Sequence, residues 1–359
     1  MYDVVIIGAG PAGSTLARLI GDRYRVLLVD KRQGKNPAEG ILPRKCCGGL
    51  LAPDAQKMLS AMGLGLPKSV LAEPQLFVVR AIDLPQRLER FYQRYYINMD
   101  RQQFDRWLLS MVPPSVEVRT GCRYLGHEPG ANGLALKFFK DATPFREETR
   151  ILVGADGALS RVRSVTEGNA RQPQKYIAIQ EWVECERPLP YFSALFDPEI
   201  TDYYSWTIPK GDHLLIGAAL PPGGEPGKRF DLLRGRLKAY GFQFGRTVQR
   251  EAGILLRPRS SDQICIGGQG VALIGEAAGW ISPSSAEGLS YGSRSALMLA
   301  EALRPGIDGF ERRYEQRTRG LRRNILLKNL KSHAIFNPSL RKLVMRSGIQ
   351  TLEVARSSE

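Results

Sequence analysis

Three glycines and one acid carry the first chemistry of the chain. Gly8, Gly10 and Gly13 stand in the run Gly8-Ala9-Gly10-Pro11-Ala12-Gly13, which has the GxGxxG spacing, and Asp30 closes the next apolar run. In this pattern Gly8 permits a tight turn and Gly10 lets a pyrophosphate approach the backbone. Gly13 lets a helix pack closely on a strand, and the free N–H groups at the helix N-terminus attract phosphate. A carboxylate at the tip of the second strand accepts bonds from a ribose diol. The positioning elements are legible too. Residues 3–7 are β-branched and continuously apolar, as in a strand buried on both faces; 14–20 have a helical pattern, and 25–29 form a second strand ending at Asp30. GxGxxG alone is a common pattern. Framed by strand, helix, strand and terminal acid it predicts a dinucleotide site that includes Pro11, Ala12, Asp30 and Lys31.

No second GxGxxG occurs in such a setting. Two later segments share the strand-into-turn form: 150–163, with Gly154-Ala155-Asp156-Gly157 and basic residues after it, and 271–279, with Gly275-Glu276. The latter continues through Ser282-Pro283-Ser284-Ser285-Ala286-Glu287-Gly288-Leu289 into a small-residue helix ending near residue 303. Together these motifs, covering roughly residues 1–303, resemble the flavoprotein superfamily of aromatic hydroxylases and geranylgeranyl reductases. The resemblance implies FAD as cofactor, with its pyrophosphate on the GxGxxG and Asp156 near the dinucleotide cleft. It places the ribityl chain at the late turn, by Gly275, Gly288 and Leu289. Glu276 stands where the family usually has Asp, and takes over that role if the turn retreats by one methylene. Arg101, in Asp100-Arg101-Gln102-Gln103, matches the family's helix-opening arginine that contacts the flavin nucleotide; the alternative is a solvated arginine at a helix start.

Residues 41–51 read Ile-Leu-Pro-Arg-Lys-Cys-Cys-Gly-Gly-Leu-Leu. Such a loop resembles the geranylgeranyl-reductase branch, which implies Cys47 and Gly48 beside the isoalloxazine, with the thiol tuning the flavin or delivering a proton. The plainer reading is a pair of core cysteines, and Cys46 is read as packing. Tyr204-Ser205-Trp206-Thr207-Ile208-Pro209-Lys210-Gly211 resembles the substrate-domain segment of the same reductases; Trp206 is then a wall of an apolar pocket or an ordinary core residue. No metal is expected.

The fold expected is α/β: a Rossmann-type FAD-binding domain with an inserted antiparallel substrate sheet and a C-terminal helical segment. The expected boundaries are 1–70, 95–170 and 262–305 for the FAD-binding domain, 71–94 and 171–261 for the substrate domain, and 306–359 for basic helices. Alternation in 75–79, 176–184 and 205–220 suggests the sheet. The 359 residues are 43% hydrophobic and 24% charged, which excludes disordered and collagen-like chains. Five cysteines, two of them adjacent, make no disulfide framework. No cleavable apolar leader precedes the first strand, and no run approaches the roughly 18–20 apolar residues of a membrane span, so a cytoplasmic protein is expected.

The net charge is 51 − 36 = +15, which favours polyanionic partners. Between residues 311 and 346 there are 11 Lys or Arg against Glu311 and Glu315, with Phe310, Tyr314, Leu321 and Ile325 on one helical face. That pattern suits a helix pair on an anionic membrane, or a helical cap with a solvated basic face; nucleic acid is disfavoured, because no RNA-binding signature accompanies the charge.

The resemblance implies hydride transfer from reduced FAD to a carbon–carbon double bond of a polyprenyl or other apolar substrate, with NAD(P)H or another donor as transient reductant. The alternatives are an FAD monooxygenase or halogenase-like enzyme acting through a flavin C4a-hydroperoxide, and a flavoprotein whose basic tail binds RNA or a partner. Oligomeric state is left open.

Overall fold

The computed structural model describes residues 1–33, 45–167, 172–186 and 190–354. The apolar run at the start forms the strand Tyr2–Ile7 at the centre of a parallel sheet. The parallel strands lie in the order Glu117–Arg119, Val26–Val29, Tyr2–Ile7, Thr143–Gly154, Val271–Leu273. Alternate side chains enter two cores. Val4 and Ile6 pack with Leu16, Leu28 and Leu299 on the helical side. Val5 and Ile7 pack with Leu136, Phe138 and Trp280 on the other. That second face is covered by the antiparallel meander Arg123–Gly130, Gly133–Lys140 and Thr143–Gly154. Two helices, Pro11–Ile20 and Leu289–Leu303, lie together over the first core.

The second sheet runs Thr247–Arg257, Gln174–Glu184, His213–Leu220, Ser205–Lys210, Phe192–Phe196, Leu76–Asp83, Leu88–Asn98 and Leu50–Leu51. All neighbours are antiparallel except Phe192–Phe196 with Leu76–Asp83. The helix Pro226–Tyr240 buries Phe230, Leu233 and Leu237 on its back, against Ile179, Val183 and Ile216. The front, with Tyr176, Ala178, Trp206 and Ile208, turns toward the nucleotide motifs. Leu88–Asn98 does not stop at residue 94: it continues to pair Asn98 and Ile97 with Leu50 and Leu51, so one strand spans both sequence-drawn regions.

The basic tail forms two helices, Phe310–Phe336 and Pro338–Ser347. Phe310, Tyr314, Leu321 and Ile325 are buried, and the Tyr314 hydroxyl donates to the Leu273 carbonyl at 2.9 Å. Asn337 caps the second helix by accepting from the Leu340 N–H. Arg341 on that helix is buried against Asp83 of the second sheet, Nε to Oδ2 at 2.8 Å, with its guanidinium over the Phe196 ring. The tail is therefore fastened to both sheets. Removing one member of a buried pair strands the other charge, so Arg341→Met is expected to cost about 3–5 kcal/mol in denaturant unfolding. Arg341→Met with Asp83→Leu should recover most of that loss.

Candidate functional site

The crossing of strand and helix at the nucleotide motif leaves no spare volume. Gly8 has φ +109°, and a Cβ there or at Gly13 would overlap the Ala155 and Gly8 carbonyls respectively. Gly10 differs: among the described residues nothing lies within 4 Å of where its Cβ would be. That open space sits directly over the N-terminus of Pro11–Ile20, where Pro11 occupies the first turn. Asp30 is buried at the end of Val26–Val29. Its Oδ2 accepts the Ala9 N–H at 2.8 Å, and its Oδ1 accepts the Arg32 N–H at 2.8 Å. The Arg32 guanidinium also reaches Asp30 Oδ2 at 2.9 Å and Asp105 at 3.7 Å. The acid thus braces the glycine turn as well as facing the cavity, and Lys31 lines the same rim.

Arg101 opens the helix Arg101–Ser110, whose N-cap Asp100 accepts from the Gln102 and Gln103 N–H groups. Its Nε donates to Asp105 Oδ1 at 2.7 Å and its Nη1 to Cys47 Sγ at 3.2 Å. Burial works against the guanidinium charge, but Asp105 and Cys47 outweigh it and hold the group charged above its ordinary range. Cys47 also accepts from the Gly49 N–H at 3.5 Å. Gly48 lies against Ile208, and Gly49, at φ +61°, is wedged beside the Met99 carbonyl and the Lys210 ammonium. Cys46 faces the substrate sheet, with the Ala178 carbonyl 3.9 Å away, and burial pushes its thiol up to about 12. Residues 41–44 of this loop lie outside the described residues.

Asp156 lines the cavity through the turn, but its carboxylate serves the helix Arg161–Glu167. It accepts from the Ser160 hydroxyl at 2.6 Å and the Arg161 and Val162 N–H groups at 2.7 and 3.2 Å. Burial raises its pKa against these bonds. Gly275, at φ +57°, starts the turn Gly275–Ala278 beside Ala12 and donates its N–H to Ser295 Oγ. The extra methylene of Glu276 lets Oε1 accept the Leu256 N–H at 3.3 Å, tying the turn to the other sheet. Gly288 is the N-cap of Leu289–Leu303, and Glu287 accepts from both the N–H and the hydroxyl of Ser290. Burial raises the Glu287 pKa, with the Ser290 bonds opposing it.

One cavity of about 1730 Å³ joins these groups. It reaches from Gly8, Gly10 and Asp30 past Cys47, Gly48 and Arg101 to the second sheet, and Gly275, Glu276, Gly288 and Leu289 also face it. Gly13 lies behind the turn in a packing role. Trp206 lies across Gly217 of the neighbouring strand, 5.5 Å from Tyr204, with one face on the cavity. Single-ligand sites typically measure about 300–1,000 Å³, so this one accommodates a dinucleotide and a second molecule.

The FAD binding domain family matches residues 1–194. The chain belongs to that family. FAD is therefore its cofactor, and the open face at Gly10 and the helix N-terminus behind it fit an FAD diphosphate. The chain is 42% identical to Protein CbrA of Escherichia coli K12 over 97% of each chain. Among solved structures, a geranylgeranyl bacteriochlorophyll reductase-like protein of Thermoplasma acidophilum has a TM-score of 0.83 at 18% identity, covering 98% of this chain and 92% of that one. PqsL, a probable FAD-dependent monooxygenase of Pseudomonas aeruginosa, has a TM-score of 0.70 at 19% identity, covering 97% and 98%. At such identities both show the fold, which is mixed α/β with a Rossmann-type FAD-binding domain.

Sequence reasoning missed Arg32, Asp105 and Lys210. Lys210 was visible only as part of a motif, since its partners are backbone carbonyls. FAD binding gives the glycines separable tests. Gly10→Val should leave the apoprotein folded and weaken FAD binding on the order of tenfold or more in flavin titration. Gly13→Val should destabilise the apoprotein itself.

Proposed function

We propose that the chain is an FAD-dependent reductase that adds hydrogen across a carbon–carbon double bond of a polyprenyl or similarly apolar substrate. The cavity carries this reading. Beyond the nucleotide end its walls include Tyr96, Phe192, Ala194, Phe196, Trp206 and Ile208, which suit an extended hydrocarbon. Such a ligand offers no polar handle, so its binding comes from burial at about 25 cal/mol per Å². The likeness of fold to a geranylgeranyl-reductase-like protein supports the choice.

Bound FAD, once reduced by NAD(P)H or another transient donor, supplies a hydride. The second carbon needs a proton, and Cys47 is the group proposed to give it. Its sulfur accepts from Arg101 Nη1, so the thiol proton points elsewhere. Asp105 holds Arg101 in that orientation. Water returns the proton after product leaves.

A monooxygenase or halogenase-like activity is the second reading, and Gln180 favours it. Gln180 is 1% exposed and lines the cavity, and among the described residues its carboxamide has no partner apart from the Cys46 thiol beside it. A polar aromatic substrate would satisfy it.

Anaerobically reduced protein mixed with a polyprenyl lipid separates the two. The expected result is flavin reoxidation without oxygen and a product gaining two hydrogens. Cys47→Ala should slow that step on the order of 10²-fold or more while FAD stays bound and dithionite still reduces it. Reoxidation only in air, with an oxygen atom found in the product, would overturn the reductase reading.

A further inference from the structure

We propose that the outer face of the two C-terminal helices docks on an anionic lipid bilayer, turning the mouth of the cavity toward the lipid.

The polarity of this face is inverted. Up to Ile325 the helix Phe310–Phe336 buries apolar residues, but beyond it the buried side chains are Asn329 and Ser332. Leu326, Leu327 and Leu330 point outward instead, with Leu327 68% and Leu330 73% exposed. The next helix repeats the pattern at i, i+3 and i+4. It buries Arg341 and Met345 and exposes Leu340, Leu343 and Val344, and Ile349 follows, also exposed. Contiguous exposed apolar side chains on consecutive helices mark a surface that something covers.

Charge selects the occupant. Residues 316–352 contain nine Lys or Arg and no Asp or Glu. Lys331, next to Leu330, lines the cavity beside Arg94, whose Nε has no hydrogen-bond partner among the described residues. Burial lowers the Lys331 pKa first, and Arg94 and Lys328 lower it further, so cations crowd at this opening. Cations interleaved with outward leucines complement anionic head groups over acyl chains. A second copy would bring the same cations against these. A polyanion in water would use the charges and leave the leucines uncovered.

The rim of the cavity belongs to the same helices. Ala334, Val344, Ser347 and Ile349 line it, and Leu352 just beyond lines it too, its N–H donating to the Phe91 carbonyl. A bilayer against the leucines therefore lies at the opening. No helix among the described residues is long and apolar enough to cross a membrane, so the contact is peripheral.

The test uses the full chain loaded with FAD, floated with vesicles of phosphatidylcholine alone or mixed with phosphatidylglycerol. Binding to the anionic vesicles is expected to exceed that to neutral ones on the order of tenfold at low salt. Leu327→Gln, Leu330→Gln and Leu343→Gln together should reduce it by about tenfold or more with bound-flavin absorbance unchanged. Three results would overturn the proposal: no flotation with anionic vesicles, undiminished flotation of the leucine variant, or a lipid-free dimer that the leucine variant converts to monomer. No substrate is turned over, so failure here leaves the reductase reading standing.

Discussion

Lys210 Nζ lies 3.0 Å from the Gly49 carbonyl and 2.8 Å from the Met99 carbonyl, almost wholly buried at the end of Ser205–Lys210. Those two carbonyls flank the proposed proton donor and its arginine: Gly49 ends the loop that carries Cys47, and Met99 lies two residues before Arg101, which opens a helix. The Met99 N–H donates to Gly49 at 2.9 Å, so the two segments are joined to each other as well as to the lysine. Asn98 adds a second tie, donating to the Pro74 and Pro209 carbonyls. A buried ammonium without acceptors would be expelled or deprotonated; here backbone oxygens hold it. A side chain at Gly49 would fall on the Met99 carbonyl and the ammonium itself. Lys210 therefore requires glycine at 49, and it ties together the segments that carry Cys47 and Arg101.

From that clamp a run of contacts leads to the nucleotide end: the Cys47 sulfur, then the alternating charges Arg101, Asp105, Arg32 and Asp30. The successive separations are 3.2, 2.7, 3.7 and 2.9 Å. Such a network need not add net stability, because each ion gives up water to join it. Its consequence is geometric. The acid that braces the glycine turn and the guanidinium beside the thiol are joined through Arg32 and Asp105, so the dinucleotide end and the Cys47 loop hold one arrangement. Glu276 performs the same service on the opposite side, where its longer arm reaches Leu256 and couples the late turn to the second sheet.

What could be read from the sequence was what repeats locally. The first strand, the glycine turn and Asp30 announce themselves by period and by positions where only glycine fits. Arg32, Asp105 and Lys210 do not, because a buried, paired charge looks in sequence like a solvated one. The Arg341–Asp83 pair spans 258 residues with no local mark at either end. Asp156 was legible as a motif residue, but its carboxylate was not, since capping Arg161–Glu167 depends on where the chain turns next. In the second sheet, Thr247–Arg257 escaped the alternation search because it is an edge strand whose first half is largely solvated. Leu88–Asn98 crossed a boundary drawn at residue 94 for a related reason: its last residues pair with Leu50 and Leu51, far away in sequence.

The tail shows how a correct period can still hide its meaning. Phe310, Tyr314, Leu321 and Ile325 read as a buried stripe and are one. Asn329 and Ser332 continue that stripe at i+4 and i+7 from Ile325, so the buried face turns polar while Leu326, Leu327 and Leu330 fall off it and face outward. From there the chain is steered by polar contacts: Ser332 Oγ donates to the Asn329 carbonyl, Asn337 caps the next helix, and Arg341 finds Asp83. Those contacts set the helices across the front of the second sheet, where Phe336 meets Tyr203 and Tyr204 in edge and stacked geometry. A segment whose sequence suggests a cap on the first sheet thereby becomes the rim of the cavity.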